Sequence, residues 1–322
     1  MLQQTQAATV EPYYRRFLEA FPDLRALAQA PEDEVMARWA GLGYYSRARN
    51  LMACAREVSA RYGGELPADA DKLRELPGFG PYTTAAVASL AFGLPRAVLD
   101  GNVIRVFCRL FCLDMDSAAP GARAQLQEVA DALLDHDAPG AWNEALMELG
   151  ALVCRPRQPD CERCPLREAC LARRAGRQAE LPVKSRKGAS PIRPTVVVVV
   201  TDGAGRLLCR RRGDQGMYRG LWELPGLEAR PAGVCAPADS WTSLENTLRA
   251  ELERALGPLA TTGGEERFRH VYSHFTAEVL ARGLRVGGTA AEAPGDYAWL
   301  DVAAVAERGF SARDRRIISA LY

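Results

Sequence analysis

Residues 76–84 read Leu-Pro-Gly-Phe-Gly-Pro-Tyr-Thr-Thr and join two segments with helical periodicity. Gly78 and Gly80 permit a positive φ and a close backbone approach, and Pro81 suits the first turn of the next helix. The free amide groups at the start of that helix can bind a phosphate. The alternative is an ordinary tight turn between two helices. The stretch therefore predicts a helical hairpin with Gly78 and Gly80 as candidate phosphate contacts.

Asp100 follows this hairpin by about twenty residues, in the stretch Val-Leu-Asp-Gly-Asn-Val at residues 98–103. It precedes a helical pattern, so its carboxylate can cap the helix by accepting hydrogen bonds from the first amide groups. The functional alternative is a carboxylate that faces a DNA sugar and stabilises an oxocarbenium-like transition state. The residues alone leave both roles open.

Four of the nine cysteines form the cluster Cys154-x6-Cys161-x2-Cys164-x5-Cys170. The odd total, in a chain that shows no export signal, argues against a disulfide framework. Four thiolates in one loop can ligate a [4Fe–4S] cluster or a tetrahedral zinc ion. Zinc ribbons usually pair two short knuckles across a longer gap, and only one short pair is present here. The spacing therefore favours the [4Fe–4S] cluster.

The 322 residues predict two globular units. Residues 5–153 follow helical periodicity, residues 173–194 form a polar linker rich in Gly and Pro, and the remainder alternates strand and helix patterns. Thr195–Thr201 and Arg206–Arg210 flank an Asp-Gly pair, which predicts a β-hairpin. We expect a first domain at 1–175, a linker at 176–194 and a second domain at 195–322.

The composition excludes some classes of protein. The chain is 48% hydrophobic and 25% charged, which argues against disorder, and its net charge of +1 does not indicate a polyanionic partner. Its longest apolar run, Val196–Val200, is far shorter than the ~20 residues of a membrane span. We expect a soluble cytoplasmic protein, associated with the nucleoid in a bacterium, that has no membrane partner.

The hairpin, the aspartate and the cysteine loop together resemble the endonuclease III superfamily of DNA base-excision glycosylases. Within it, residues 3–6 (Gln-Gln-Thr-Gln), 41–50 (Gly-Leu-Gly-Tyr-Tyr-Ser-Arg-Ala-Arg-Asn), 99–103 and the C-terminal half are similar to the adenine DNA glycosylases, the MutY family. The resemblance implies an α-helical helix-hairpin-helix glycosylase domain with an iron–sulfur loop, followed by an α+β Nudix-like domain. It also implies a [4Fe–4S] cofactor and, as partner, double-stranded DNA containing A:8-oxoguanine or A:G mispairs. We expect a monomer.

The resemblance assigns roles in excision to residues of the helical half. It implies that Asp100 supports the sugar cation, that Asn102 and Tyr82 lie beside the reaction centre, and that Glu144 contacts the adenine. Tyr82 occupies the place of the Schiff-base lysine of lyase members. Because tyrosine forms no imine, we expect a monofunctional glycosylase rather than an endonuclease III-like lyase. Gly78 and Gly80 then contact the DNA backbone.

The resemblance also implies roles in recognising the mispair. Gln4 and Tyr44 resemble the side chains that wedge into the helix, and Leu2 and Thr5 resemble those near the oxidised guanine. Core packing is the alternative for one of Tyr44 and Tyr45. The site residues that this resemblance predicts for the second domain are Tyr272, Ser273 and His274, which are similar to the family's Phe-Ser-His loop for reading 8-oxoguanine.

The second domain resembles a Nudix domain, with residues 220–226 as its strand-and-turn entry. A hydrolytic Nudix site needs a helix with Arg-Glu and paired glutamates to hold divalent metal. Residues 249–257 (Arg-Ala-Glu-Leu-Glu-Arg-Ala-Leu-Gly) do not supply that pattern, so we expect a recognition module rather than a pyrophosphatase. A metal pair of His270 and His274 is the rival, with no carboxylate spaced to complete it.

One departure from the family concerns the start of the sequence. The family's general-acid glutamate lies two residues before the methionine that here is Met1. Either the recorded sequence starts at an internal methionine of a longer protein, or a shortened protein binds without cutting. We expect the chain as written to release negligible adenine, and the alternative function is a non-catalytic lesion-binding protein.

Overall fold

A computed structural model describes residues 1–3, 5, 7–185, 188, 190–213, 215–216, 218–229, 240–288 and 292–322. Contacts between Cα atoms divide the chain into two compact units. One unit comprises Met1–Met52 together with Gly188–Tyr322, and the other comprises Ala53–Lys187. The expected domain limits at 175 and 195 stay a prediction. Gln4 lies outside the described residues.

The first segment of unit one is helical, with α1 at Ala7–Ala20, α2 at Leu24–Gln29, α3 at Glu32–Trp39 and the start of α4 (Ser46–Tyr62). The Asp23 carboxylate caps α2 by accepting from the Ala26 amide at 2.8 Å. Phe17 of α1 meets Trp39 of α3 edge to face, with ring centroids 5.9 Å apart. This contact packs α1 against α3.

Unit two is also helical. Its helices after α4 are α5 at Ala70–Glu75, α6 at Pro81–Phe92, α7 at Gly101–Leu110, α8 at Ala122–Ala132, α9 at Pro139–Glu148 and α10 at Leu171–Arg174. The core lies among α7, α8 and α9 and includes Leu99, Val103, Phe107, Leu126 and Leu146. The predicted helical class of this half is confirmed. The short helices α2, α3 and α5, of six to eight residues each, carry too few turns for their periodicity to show in the sequence.

The rest of unit one is built on a mixed sheet. Its strands are β1 (Ile192–Thr201), β2 (Leu207–Arg211), β3 (Trp222–Glu223), β4 (Gly226–Glu228), β5 (Leu259–Val271), β6 (Thr276–Val286) and β7 (Tyr297–Leu300). The strand order is β3-β2-β1-β6-β5, with β4 on β1 and β7 on β2. Among these described strands, the β1–β6 pair is parallel and the other pairs are antiparallel. The predicted α+β class and the β1–β2 hairpin are confirmed.

Helices cover both faces of this sheet. These helices are α11 at Ser240–Leu256, α12 at Val302–Ala306 and α13 at Ala312–Leu321. Because side chains alternate along β1, Val196, Val198 and Val200 pack with leucines of α11. Val197 and Val199 pack on the opposite face with Phe310 and Ile317. The run of five valines is therefore a strand buried on both faces.

Among the described residues, no helix is both long enough and apolar enough to cross a membrane.

Candidate functional site

The carboxylate of Asp100 stands at the N-terminus of α7. Its Oδ1 accepts hydrogen bonds from the amides of Asn102 at 2.9 Å and Val103 at 2.8 Å, which caps the helix. Its Oδ2 accepts a third bond from the Asn102 side-chain amide at 3.0 Å. A carboxylate has about four lone-pair sites, so it keeps capacity to face a further positive charge. Capping and a role in chemistry are thus compatible.

Asn102 is itself held by a buried arginine that the sequence reading did not single out. Arg105, 7% exposed, donates to the Asn102 Oδ1 at 2.9 Å and to the carbonyl oxygens of Gly150 at 2.6 Å and Cys154 at 2.7 Å. A Cβ atom on Gly150 would lie 2.6 Å from the Asn102 Cβ, so this close approach requires glycine. Arg105 therefore connects the start of α7 to the segment that enters the cysteine loop.

Tyr82 lies near Asp100 in unit two. Burial raises the pKa of Tyr82, and the negative charge of Asp100 raises it further. The Tyr82 hydroxyl contacts the Met147 sulfur at 3.7 Å. The tyrosine therefore stays protonated at neutral pH and offers a neutral hydroxyl, but no amine, beside the carboxylate.

Glu144 is exposed on α9, and its neighbour Asn143 ties α9 to the chain that leads to Asp100. Asn143 is 1% exposed and its Oδ1 accepts from the Val98 amide at 3.0 Å. Its side-chain amide donates to the Arg96 carbonyl at 2.8 Å and to the Ser89 hydroxyl at 2.9 Å. This polar anchor fixes α9 against the segment preceding Asp100.

The helical hairpin lies between α5 and α6, as the glycines predict. Gly78 has φ +83°, a left-handed conformation that favours glycine. Gly80 differs, since its φ of −74° and ψ of 175° are open to any residue, and it forms the N-cap of α6. Arg74 donates to the Phe79 carbonyl at 2.6 Å and stabilises the turn. Only Gly78 is required for its backbone conformation.

The cysteine loop begins at Cys154, after a short π-helical turn at Leu149–Val153. Cys161 starts a 3₁₀ turn and Cys170 directly precedes α10. Arg109, 2% exposed, donates to the Arg155 carbonyl at 2.8 Å and approaches the Cys154 sulfur at 3.4 Å. The loop is thus attached to α7 by two buried guanidinium groups, those of Arg105 and Arg109.

The four thiols of this loop are free and partly exposed. Burial raises the pKa of Cys161, and the charges of Cys154, Cys170 and Cys164 raise it further. Burial also raises the pKa of Cys164, and the charges of Cys154 and Cys170 raise it further. In the described part of the chain, no set of three His, Cys, Asp or Glu side chains stands together as a metal site. The fit to a cluster therefore rests on the chemistry of the donor set, four soft thiols in one loop of the chain.

A second group of predicted residues surrounds the Arg47 guanidinium in unit one. Arg47 donates to the carbonyl oxygens of Met1 at 2.5 Å and Gln3, and to the Thr5 hydroxyl at 3.1 Å. It also donates to the carbonyl oxygens of Leu42 at 3.2 Å and Gly43 at 3.3 Å. One side chain therefore organises both the N-terminal segment and the Gly-Leu-Gly loop, leaving Leu2 exposed (63%).

Tyr44 and Tyr45 have opposite environments. Tyr44 is 48% exposed with a left-handed φ of +47°, and its ring lies 5.5 Å from the Arg47 guanidinium. Tyr45 is 4% exposed, and its hydroxyl donates to the Phe310 carbonyl at 2.9 Å. Tyr44 is thus available for an external contact, whereas Tyr45 anchors the loop.

Tyr272, Ser273 and His274 form the turn between β5 and β6. The Tyr272 amide donates to the Phe275 carbonyl at 2.8 Å, and the two rings stack with centroids 4.5 Å apart. Ser273 and His274 are exposed at the tip, whereas Tyr272 is half-buried. His270 meets Tyr272 edge to face at 4.6 Å, and burial and the Arg313 charge lower its pKa. The turn therefore displays one hydroxyl and one imidazole.

Two carboxylates of α11, those of Glu245 and Glu253, make structural ion pairs. Glu253 pairs with Arg249 at 2.9 Å and accepts from the Leu259 amide at 3.2 Å, which fixes the end of the helix. Glu245 pairs with Arg282 of β6 at 2.7 Å. These contacts give the acidic side chains of the helix a role in joining α11 to the sheet.

Two family models match the chain. The HhH-GPD superfamily base excision DNA repair protein model matches residues 1–132, and the NUDIX domain model matches residues 196–320.

The chain is also similar to curated proteins and solved structures. Adenine DNA glycosylase of Homo sapiens is 34% identical, over 89% of this chain and 60% of the human protein. Adenine DNA glycosylase of Buchnera aphidicola subsp. Schizaphis graminum is 31% identical, over 87% of this chain and 76% of that protein. A thermostable thymine-DNA glycosylase structure is 32% identical, with a TM-score of 0.49 over 54% of this chain and 80% of its own. The chain spans about three fifths of the length of the human relative.

Proposed function

The chain belongs to the adenine DNA glycosylase family, and on this premise we propose that it removes adenine mispaired with 8-oxoguanine or guanine from double-stranded DNA. The observation that carries the proposal is the Asp100 carboxylate, fixed by Asn102 at the start of α7 with a neutral tyrosine nearby. A base in a duplex is reached only when it is flipped out of the stack. The substrate is therefore an extrahelical adenosine.

The reaction is hydrolysis of the N-glycosidic bond. The bond between the sugar carbon and the adenine nitrogen breaks, and its electron pair leaves with adenine, which takes up a proton. The sugar carbon becomes cationic and takes the hydroxyl group of a water molecule, and the remaining proton of that water balances the one that adenine takes up. The negative charge of Asp100 stabilises this cation, and such preorganised electrostatic groups typically contribute ~10²–10³ in rate. Asn102 holds the carboxylate oxygen in place.

Tyr82 defines the type of glycosylase. A glycosylase that also cleaves the strand uses an amine, which forms an imine with the opened sugar. The Tyr82 hydroxyl offers no amine, so strand cleavage does not accompany adenine release. Borohydride, which traps an imine between protein and DNA, is expected to trap no product.

Mispair recognition is assigned to the exposed side chains of unit one. Tyr44 and Gln4 are proposed to wedge into the duplex, and Leu2 and Thr5 are proposed to lie near the oxidised guanine. Ser273 and His274 are proposed to read 8-oxoguanine, since a hydroxyl and an imidazole can both hydrogen-bond to its altered edge. The exposed positions of Tyr44, Ser273 and His274 support these roles.

The cysteine loop is proposed to hold a [4Fe–4S] cluster through Cys154, Cys161, Cys164 and Cys170. Its four thiols supply the ligands that such a cluster takes, and they lie in one loop of the chain. A bound cluster would supply a covalent centre that fixes the fold of the loop. Through Arg105 and Arg109, that fold supports the position of α7.

The test is adenine release under single-turnover conditions. Matched duplexes carry A:8-oxoguanine, A:G or A:T at one position, and binding to each is measured in parallel. Release from A:8-oxoguanine and A:G, with none from A:T, is the expected result, because membership of the family favours it over the negligible release and the lesion-binding alternative expected from the sequence. Tight lesion binding without release contradicts the catalytic half of the proposal. Equal binding to all three duplexes contradicts its recognition half.

A further inference from the structure

Three tyrosines from distant parts of the sequence form a row in unit one. The Tyr218 ring lies between Tyr45, at 5.7 Å and 82°, and Tyr272, at 6.0 Å and 57°. These distances and angles fall in the range of favourable edge-to-face and tilted aromatic pairs. Tyr218 is the only member of the row that touches both of the others.

Both ends of this row are anchored in the interior. The Tyr45 hydroxyl donates to the carbonyl of Phe310, a residue with no exposed surface. Tyr272 stacks on the buried Phe275 at an interplanar angle of 28°. Displacement of Tyr218 would therefore leave each end attached to its own anchor but separate from the other end.

Each end is the immediate neighbour of a side chain proposed to touch the mispair. Tyr45 follows the exposed Tyr44, and Tyr272 precedes the exposed Ser273. The backbone position of each exposed side chain is therefore set by the adjacent tyrosine of the row. Tyr218 joins the two tyrosines that set these positions.

The backbone of Tyr218 is itself in a costly conformation. Its φ of +63° is left-handed, which residues with a Cβ rarely adopt and which persists only where the surroundings enforce it. Burial raises the pKa of Tyr218, so the ring stays neutral among its aromatic neighbours. The packing of the ring is the feature that holds this backbone in place.

We propose that Tyr218 is a positioning residue that holds residues 41–47 and the β5–β6 turn in one arrangement, so that both contact the mispair together. This inference rests on the proposed function and adds the residue that couples its two recognition elements. Preorganised elements bind more tightly because less freedom is lost on binding. Contacts to DNA phosphates, which carry binding to any sequence, do not depend on the row.

The test measures lesion preference, the ratio of the Kd for an undamaged A:T duplex to that for an A:8-oxoguanine duplex. The full chain is used, with a non-hydrolysable adenosine analogue in both duplexes. Loss of one aromatic pair corresponds to about a 2- to 12-fold change in affinity. We expect Tyr218→Ala, which breaks two pairs, to lower the preference about 5- to 30-fold, and Tyr218→Phe to keep it within about twofold.

Two further variants separate positioning from stability. Tyr297→Ala removes another half-buried tyrosine ring of unit one, one that packs on the opposite face of the sheet, and we expect it to lower Tm without changing the preference. Tyr218→Gly removes the ring but relieves the left-handed backbone. We expect its Tm to lie above that of Tyr218→Ala and its preference to be equally low.

A cycle of variants tests the coupling itself. Tyr44→Ala and Ser273→Ala are combined in the wild-type and the Tyr218→Ala backgrounds. In the wild-type background, we expect the effect of the double substitution on the Kd for the A:8-oxoguanine duplex to differ at least threefold from the product of the two single effects. In the Tyr218→Ala background, we expect the effect of the double substitution to equal the product of the two single effects.

The inference fails if Tyr218→Ala or Tyr218→Gly keeps the wild-type preference, or if Tyr297→Ala lowers it as much. It also fails if the coupling between Tyr44 and Ser273 survives in the Tyr218→Ala background. A wild-type chain that shows no lesion preference contradicts the proposed function, and this inference with it.

Discussion

The Asn102 side chain joins the Asp100 carboxylate to Arg105, because its amide donates to Asp100 Oδ2 at 3.0 Å while its Oδ1 accepts from Arg105 at 2.9 Å. An asparagine can do both because it carries a donor and an acceptor on one planar group. The carboxylate is thus oriented by a side chain that is itself fixed by a buried cation.

This relationship predicts the effect of Asn102→Ala. Without the amide, one carboxylate oxygen loses its partner and can rotate out of position, and small misplacements typically cost ~10²-fold in rate. We expect adenine release to slow about 10- to 100-fold while the Kd for the A:8-oxoguanine duplex changes little. Single-turnover rates and anisotropy titrations check this, and a parallel loss of rate and affinity would contradict it.

Arg47→Lys tests the role of Arg47 in organising the N-terminal segment and the Gly-Leu-Gly loop. Lysine keeps the charge, but its single nitrogen cannot donate to carbonyl oxygens of both segments at once. Several acceptors therefore lose their donor. We expect the free energy of unfolding to fall by about 1–3 kcal/mol and the lesion preference to fall with it. Arg38→Lys, an exposed arginine of α3, is the matched control and should change neither quantity. Equal effects of the two substitutions would refute the role of Arg47.

The cysteine loop makes a prediction that does not depend on activity. Cys164→Ser removes one of the four proposed ligands, whereas Cys112→Ser removes a cysteine outside the loop. We expect the Cys164 variant to purify with much less iron and sulfide than the wild type, and the Cys112 variant to keep the wild-type content. Zinc in place of iron and sulfide in the wild-type chain would show that the loop holds a different metal.

His270 predicts a pH dependence of stability. Burial and the charge of Arg313 lower its pKa below the ordinary value of 6.5, so the unfolded chain binds this proton first as the pH falls. The contribution of neutral His270 is therefore complete above pH 6.5 and is lost as the pH falls through the lowered pKa. We expect urea denaturation of His270→Gln to show a shallower loss of stability than the wild type between pH 6.5 and 5. Identical slopes would contradict the assignment.

The sequence predicted those parts of the site whose signal is local. The cysteine spacing, the left-handed Gly78 and the Asp-Gly-Asn start of α7 each lie within one short stretch. The roles of the four cysteines as cluster ligands and of Ser273 and His274 in reading 8-oxoguanine stay predictions. In these cases the residues that make the contact are neighbours in the chain.

The parts that sequence reading missed depend on contacts between distant residues. Arg47 meets carbonyl groups more than forty residues away, and Arg105 meets Cys154 at a separation of 49. An arginine on a helix gives no sign that its guanidinium will be buried among carbonyl oxygens. Tyr218 gave no signal either, because its role arises only when three segments pack together.

The edge strand β5 shows the same limit in the fold. The sequence pattern predicts a strand only over residues 268–272, whereas the strand covers Leu259–Val271. Exposed charged residues such as Arg267 and Arg269 alternate along it, because the strand lies at the edge of the sheet. Polar side chains at alternate positions weaken the apolar signal on which the sequence prediction depended.

The most direct test of the account compares adenine release by the wild type, Asp100→Asn and Asp100→Ala on an A:8-oxoguanine duplex. Asparagine caps a helix as well as aspartate does, whereas alanine costs ~1 kcal/mol of stability. We predict that Asp100→Asn keeps the wild-type Tm and lesion Kd but releases adenine at least about 100-fold more slowly, and that Asp100→Ala adds a loss of Tm. Release by Asp100→Asn at the wild-type rate would contradict the central role of the carboxylate.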